Sequence, residues 1–306
     1  MHGIIKKVIG FVQLLRIQQY YKNFILFAGI IFAKQLNNFS IYPNLLLAFL
    51  LFCLSSSMTY ILNDIHDRDA DRLHPEKMKN RPLANGTLST TSAWVLFCLI
   101  GSGIILLILF SPILQKLSFL MLIVLFFLNG LLYNYVFKKI PFVDIIGLST
   151  LYVWRALAGC DIIEVDISPW LTITVFLIAL LLANGKRIAD LQLLGEENAK
   201  KHKKIYDSYS SQLLDSFLIV IATSLFVTYT LYCVLGPKEV GTLFSIENQR
   251  ILTYTIPVAL YLIFRYLYLV RKEPIMARNA LYLIKDKGMI IAGIVLGVII
   301  ILTIYI

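Results

Sequence analysis

Charge is scarce in this sequence. Only 15% of its 306 residues are Asp, Glu, Lys or Arg, 58% are hydrophobic and 13% aromatic, and the mean hydropathy is +0.78. That balance excludes an ordinary soluble domain and makes lipid the solvent for most of the chain. Cysteine is scarce as well. Cys53, Cys98, Cys160 and Cys233 stand singly in apolar sequence without a CxxC spacing, which excludes a zinc or dithiol motif and leaves small buried hydrophobes. A basic face on a soluble module is also missing, so the formal charge of +10 does not point to nucleic acid. Near the start, Arg16 and Lys22 interrupt the apolar run and no small-residue cleavage site follows, so the beginning does not read as a cleavable signal peptide.

Apolar runs long enough to cross a bilayer recur along the whole chain. A hydrocarbon core of about 30 Å takes about 20 apolar residues per helix. The runs fall at 10–34, 43–62, 91–112, 115–136, 142–163, 168–186, 211–236, 250–270 and 287–306, which predicts one all-α domain over 1–306, a membrane helix bundle of nine spans. With the N-terminus on the cytoplasmic side, 22 of the 28 Lys and Arg residues fall on inside segments and 4 on outside ones. The positive-inside rule therefore predicts a multi-pass protein of the cell membrane with a cytoplasmic N-terminus and cytoplasmic polar loops.

Polar residues concentrate on that side. The richest stretch follows the second span and contains Asn63, Asp64, Asp67 and Asp71, running on through His74-Pro75 to Arg81-Pro82 and Asn85-Gly86. At 100° per residue these four oxygen-bearing side chains share a sector of about 100°, while Arg68 and Arg72 rotate away from its centre. Carboxylates that close repel one another unless a cation offsets them. Oxygen donors alone suit Mg²⁺, which keeps several waters and completes its shell with substrate phosphates. The bland alternative is a solvated loop whose acids pair with Arg68 and Arg72. His66 and His74 fit hydrogen-bonding or loop-capping roles better than magnesium ligation, and Pro75 is expected to end the helix.

Three further clusters stand out. Lys186-Arg187 with Asp190 closes the sixth span, Lys186 and Asp190 being four apart on one helix face. Tyr133-Asn134 with Phe137-Lys138 closes the fourth and by itself reads as an aromatic belt with anchors. Arg16, Gln19, Lys22 and Asn23 lie where the first span enters the membrane. Arg155 sits about 16 Å along its helix from Asp144, near mid-bilayer, where an arginine either pairs with a buried acid or receives an anionic head group.

Taken together these residues resemble the UbiA superfamily of membrane-embedded transferases, whose NDxxDxxxD motif is matched by Asn63-Asp64-x-x-Asp67-x-x-x-Asp71. The narrower resemblance is to its decaprenyl-phosphate phosphoribosyltransferase branch. It rests on Arg16-x-x-Gln19-Tyr20-x-Lys22-Asn23, Tyr133-Asn134-x-x-Phe137-Lys138, Arg155-Ala156-x-Ala158-Gly159, Lys186-Arg187-x-x-Asp190, Tyr209…Leu214-Asp215 and Tyr229-x-Leu231-Tyr232. Prenyltransferases of the superfamily carry a second acidic motif on the sixth span. Here Arg187 and Leu194 replace two of its acids and only Asp190 remains, itself a Glu in the branch.

The resemblance implies a nine-helix UbiA-like bundle that transfers 5-phosphoribosyl from phosphoribosyl diphosphate to a polyprenyl phosphate and serves cell-envelope biosynthesis. It implies Asn63, Asp64, Asp67 and Asp71 as Mg²⁺ ligands, with the three aspartates as the catalytic residues. Lys22, Arg81, Lys138, Lys186 and Arg187 are expected near the diphosphate or 5-phosphate, Arg16 or Arg155 near the lipid phosphate, and Tyr133, Asn134 and Asp190 at the same site. The expected partners are the two substrates and the bilayer, with a homo-oligomer left open. The alternatives are a prenyltransferase using the same first motif and a secondary transporter. The transporter should show Gly- or Pro-broken spans with polar midplanes, which are scarce here.

Overall fold

The protein is described by a computed structural model that covers residues 2–72, 75–202, 204–235 and 246–305. No strand occurs among the described residues. The long helices are α3 (Tyr42–His66), α6 (Thr90–Phe110), α7 (Leu117–Tyr135), α8 (Val143–Ile162), α9 (Pro169–Leu194), α11 (Ser211–Leu235), α13 (Ile256–Lys272) and α15 (Lys287–Tyr305). Eight helices among the described residues are long and apolar enough to cross a membrane. Each corresponds to one expected span, from the second to the ninth.

The expected first span is not a continuous helix. α1 (His2–Leu15) stops at Arg16, whose φ of 51° and ψ of 45° place it in the left-handed region, and a 3₁₀ segment (Ile17–Phe27) and a single turn, α2 (Ala28–Phe32), follow. Left-handed geometry at a non-glycine residue strains the backbone and ends the α-helical hydrogen-bond ladder. A 3₁₀ run this long is uncommon, and it marks a segment shaped by its surroundings. The surroundings are visible at Gly159 on α8, where an added Cβ would collide with the Leu26 backbone carbonyl. The 3₁₀ segment thus lies backbone to helix against α8, a close approach that only glycine permits.

Two other expectations change. Pro75 does not end a helix but opens one, α5 (Pro75–Asn80), since proline suits a first helical position; His74 lies outside the described residues. The sixth span, expected to end at 186, runs on to Leu194, because its polar last turns pack against α11 and against α14 (Pro274–Arg278).

The chain forms two compact units. The first comprises Met1–Ile30, Asn38–Asn134 and Trp154–Val165, and the second Ile31–Asn37, Tyr135–Val153 and Asp166–Ile306. In the first, α3 is the central helix. It packs against α1, the 3₁₀ segment and α6, and its apolar window is 56% buried against 11% for α6, which therefore presents most of its surface to lipid. Phe52 of α3 meets Phe126 of α7 with ring centroids 4.9 Å apart, and Leu14, Ile61, Leu83, Leu88 and Ala93 close a second cluster beneath α1. In the second unit α9 is central, packed on α11 and α14, while α13 pairs with α15.

Because lipid supplies no hydrophobic drive between helices, close packing has to hold them. Gly159→Val is therefore expected to destabilise the protein by about 3 kcal/mol, the upper end for overpacking because the obstructing atoms are backbone. Gly103→Ala, where nothing lies within 4 Å, should stay within about 0.5 kcal/mol of wild type. Thermal unfolding in detergent checks both, and equal melting of Gly159→Val and wild type would contradict the packing described.

Candidate functional site

The aspartate-rich face lies at the end of α3. Asp67 caps the helix with φ −89° and ψ 4°, and a short helix, α4 (Arg68–Arg72), follows. The hydrogen-bond register survives the cap. Asp67 N–H donates to the Asn63 carbonyl and Asp71 N–H to the Asp67 carbonyl, both at 2.8 Å. Asn63, Asp64, Asp67 and Asp71 thus keep the i, i+4 spacing that places them on one face. Asp64 and Asp71 are both buried, and Asp67 is half-buried. Arg68 and Arg72 turn elsewhere, as the helical periodicity predicts: Arg68 pairs with Asp69 at 3.0 Å and donates to Thr90, and Arg72 reaches the Ala84 carbonyl.

Asp64 draws its partners from far away in sequence. Its Oδ1 accepts from the guanidiniums of both Arg16 and Arg81. A carboxylate buried in a membrane protein is costly unless charged donors meet it, and two arginines meet this one. Each is held in place. Arg16 occupies the left-handed break after α1 and lies over the Tyr60 ring at 4.5 Å from its centroid. Arg81 opens a turn closed by Asn85 N–H to the Arg81 carbonyl and Leu88 N–H to the Pro82 carbonyl, both 3.0 Å, with Leu83 and Ala84 buried and Gly86 at φ 77°.

The second carboxylate oxygen, Asp64 Oδ2, is buried and has no hydrogen-bond partner. A buried carboxylate oxygen without a hydrogen-bond donor is one that a cation would satisfy. The donors around it are oxygens only, with His66 exposed. Among the described residues no three Asp, Glu, His or Cys side chains converge on one point. That arrangement fits Mg²⁺, which takes one or two carboxylates and fills its octahedron with water and phosphate oxygens.

The rest of the first unit's polar residues form a buried chain. Arg155 Nε donates to Asn23 Oδ1 at 2.6 Å, Asn23 Nδ2 reaches Cys53 Sγ at 3.1 Å, and the Arg155 guanidinium stacks 4.5 Å from the Phe126 centroid. The partner found for Arg155 is thus an amide and an aromatic face, which fastens the 3₁₀ segment to α8. Lys22, half-buried, lies one residue before Asn23 on that segment. Tyr20 and Ser57 share a hydrogen bond of 2.8 Å, and Ser57 Oγ also donates to the Leu15 carbonyl. Asn134 is buried and donates to the Thr59 carbonyl at 3.0 Å, while Tyr133 is half-buried.

The second unit has its own charged centre. Arg187 and Asp144 are both buried and pair at 2.8 Å. Tyr209 donates to Asp144 Oδ1 at 2.6 Å, Tyr206 donates to Asp190 Oδ2 at 2.8 Å, and Arg278 Nε donates to Asp190 Oδ1 at 2.9 Å. Burial pushes the phenols of Tyr206 and Tyr209 well above their ordinary range, so both remain hydrogen-bond donors. Two arginines and two aspartates close on each other. Arg187, expected to meet a phosphate, directs Nε and Nη2 to Asp144 and Nη1 to Tyr206. Asp190, expected beside substrate, is held by Tyr206 and Arg278. Lys138 is half-buried and Lys186 exposed. Sequence reasoning passed over Tyr206 and Arg278 altogether, since neither belongs to a motif and Arg278 lies 88 residues from its partner.

The pairing makes Arg187 a structural residue whatever else it does. Arg187→Ala would leave Asp144 buried without its counter-charge, at a cost of about 3–5 kcal/mol, and Arg187→Asp would set two buried carboxylates side by side and cost more. The double variant Asp144→Asn, Arg187→Gln should recover most of the loss. Melting temperatures in detergent test this, and an Arg187→Asp protein as stable as wild type would show the pair to be unimportant.

The sequence and the fold resemble those of known proteins. The profile of the UbiA prenyltransferase family matches residues 23–291. The decaprenyl-phosphate phosphoribosyltransferase of Corynebacterium glutamicum is 30% identical over 226 residues, covering 73% of this chain and 67% of that one. The protein of the same name from Mycolicibacterium smegmatis is 29% identical over 230 residues, covering 74% and 70%. Among solved structures, a UbiA homolog from Archaeoglobus fulgidus bound to GPP and Mg²⁺ superposes with a TM-score of 0.66 at 16% identity, over 97% of this chain and 99% of that one. With its helical fold, its NDxxDxxxD face and these matches, the chain belongs to the UbiA prenyltransferase family.

Proposed function

We propose that this protein transfers 5-phosphoribosyl from phosphoribosyl diphosphate to a polyprenyl phosphate, with Mg²⁺ held at the Asp64 face. The observation that carries the reading is the buried, unpartnered Asp64 Oδ2 beside Asp71 on a helix face shared with Asn63 and Asp67. The name shared by the curated relatives supports the substrate class. When bound there, Mg²⁺ would neutralise charge growing on the departing diphosphate.

The protein's own residues do the rest. Asp64 with one neighbour among Asn63, Asp67 and Asp71 would hold the ion directly, the others reaching it through water, and so position the diphosphate. Arg16 and Arg81 fix the Asp64 carboxylate and carry positive charge at the same point, where diphosphate oxygens also need donors. Lys22 is a further phosphate contact. The bond from the ribose anomeric carbon to the diphosphate oxygen breaks, its electron pair leaving with diphosphate. A lipid-phosphate oxygen forms the new bond from the opposite face, inverting that carbon. Since the lipid phosphate is already an anion, no general base is required.

A second reading, transfer of a prenyl group from its diphosphate, draws support from the family's name and from the relative bound to GPP. Against it stands the second unit's centre, where Arg187 and Asp144 neutralise each other and, among the described residues, no cluster of acids is left for another metal.

Purified protein given Mg²⁺, a polyprenyl phosphate and labelled phosphoribosyl diphosphate should yield lipid-extractable label, and chelator should abolish it. Asp67→Asn and Asp71→Asn should each lower the rate by about 10²–10³, as loss of one transition-state contact of about 3–4 kcal/mol implies. The excess of basic residues on the expected inside segments supports a cytoplasmic face, so inverted vesicles should transfer label from added donor and right-side-out vesicles should not. Label transfer in excess EDTA, or transfer of a prenyl group in its place, would sink the proposal.

A further inference from the structure

The α13–α15 pair carries an open groove that the transfer reaction does not use. A cavity of about 420 Å³ lies between the two helices, lined by Pro257, Val258 and Tyr261 on one side and Gly288, Ile291 and Val295 on the other. As consecutive spans the helices run antiparallel, and the stretch from Gly288 to Val295 makes a groove about 10 Å long. Its walls are apolar except at one end. There Gly288 keeps it open: a Cβ built on that residue would lie 2.7 Å from Tyr261 Oη and 3.2 Å from both Arg265 Nε and Asp286 Oδ1. Polar atoms of three residues therefore converge where the groove reaches the end of the spans.

The charge at this mouth is unbalanced. Arg265 and Asp286 form a two-armed pair, Nε to Oδ1 at 3.1 Å and Nη2 to Oδ2 at 2.7 Å. Asp286 also caps α15 by accepting from Met289 N–H at 2.8 Å, and the Arg265 hydrogen bonds hold its carboxyl below the usual range, so it stays ionised. Lys285 and Lys287 flank it and are both exposed. Lys285 lies over the Tyr282 ring at 4.6 Å, so the one carboxylate is neutralised by Arg265 and the two lysines beside it in sequence add net positive charge, at the start of a 19-residue helix whose first turn adds positive potential.

From this complementarity we infer that the α13–α15 groove is a binding site for an anionic glycerophospholipid of the surrounding bilayer. One acyl chain lies along Val258, Ile291 and Val295, and the phosphate head sits at Lys285 and Lys287 with the Tyr261 hydroxyl donating to a head-group or ester oxygen. Inside a bilayer an acyl chain gains no hydrophobic free energy by moving from lipid into an apolar groove. Selection therefore comes from the head group, and the two uncompensated lysines make the preference anionic, by about tenfold or more. The bound lipid would staple two helices that otherwise meet lipid over most of their surface. The site lies within the second unit, whereas the aspartate face belongs to the first.

Native mass spectrometry of the full-length protein in mixed phosphatidylcholine and phosphatidylglycerol nanodiscs tests the assignment. Wild type should retain one phosphatidylglycerol in at least about tenfold preference to phosphatidylcholine. Lys285→Glu with Lys287→Glu should abolish the preference, and Ile291→Trp, which fills the groove from its lipid-facing side, should abolish retention while leaving the melting temperature of the delipidated protein in detergent unchanged. Gly288→Leu also presses on the Arg265–Asp286 pair, so Ile291→Trp is the decisive groove variant. Equal retention of the two lipids by wild type, a preference that survives the double lysine change, or retention that survives Ile291→Trp would overturn the inference. So would displacement of phosphatidylglycerol by an equal concentration of polyprenyl phosphate, which would give the groove to the substrate.

Discussion

The first unit depends on the Asp64 carboxylate and the two guanidiniums that meet it. A buried carboxylate near the end of a membrane helix has to be neutralised, and the need is met by Arg16 from before the helix and Arg81 from beyond it. Much of the local architecture serves that meeting. α1 stops at a left-handed Arg16, the following segment takes a tight 3₁₀ path, and the loop from Arg81 folds back with Leu83 and Ala84 buried. Because Arg16 and Arg81 share Oδ1, the other oxygen remains unpartnered. The same contact that stabilises the fold thus presents the anionic atom on which the proposed metal site rests.

The two charged centres solve different problems with similar residues. In the first unit three aspartates crowd one helix face, and the face retains an unsatisfied oxygen. In the second, Asp144, Arg187, Asp190 and Arg278 pair off and two tyrosines complete the hydrogen bonding. An excess of acid invites a cation, whereas a balanced set mainly fixes α9 to the segment carrying Tyr206 and Tyr209. Replacement of an acid by Arg187 therefore has a structural consequence before any catalytic one.

What could be read from the sequence was what repeats locally. Eight of the expected spans follow from hydropathy, and the shared face of Asn63, Asp64, Asp67 and Asp71 follows from helical periodicity, which survives the break at Asp67 because the i, i+4 bonds bridge it. The break at Arg16 was not legible, since its causes are the distant Asp64 and the close approach of Leu26 to Gly159. Nor were the partners of Arg155, Arg187 and Asp190, which lie 132, 43 and 88 residues away. Residue type marked those positions as unusual for a membrane, but only the fold says whether a guanidinium there meets a substrate or an aspartate. Pro75 shows the converse: a proline reads equally as the end of one helix or the start of the next.

If the Asp64 face receives a diphosphate through a divalent cation, as proposed, equilibrium binding of phosphoribosyl diphosphate to purified protein shows it apart from turnover. Calorimetric titration with Mg²⁺ present should show one site per chain. In EDTA, or in Asp64→Asn with Mg²⁺ present, the affinity should fall by at least about tenfold, the equivalent of about 1.4 kcal/mol. Binding of equal strength with and without the metal would contradict the account.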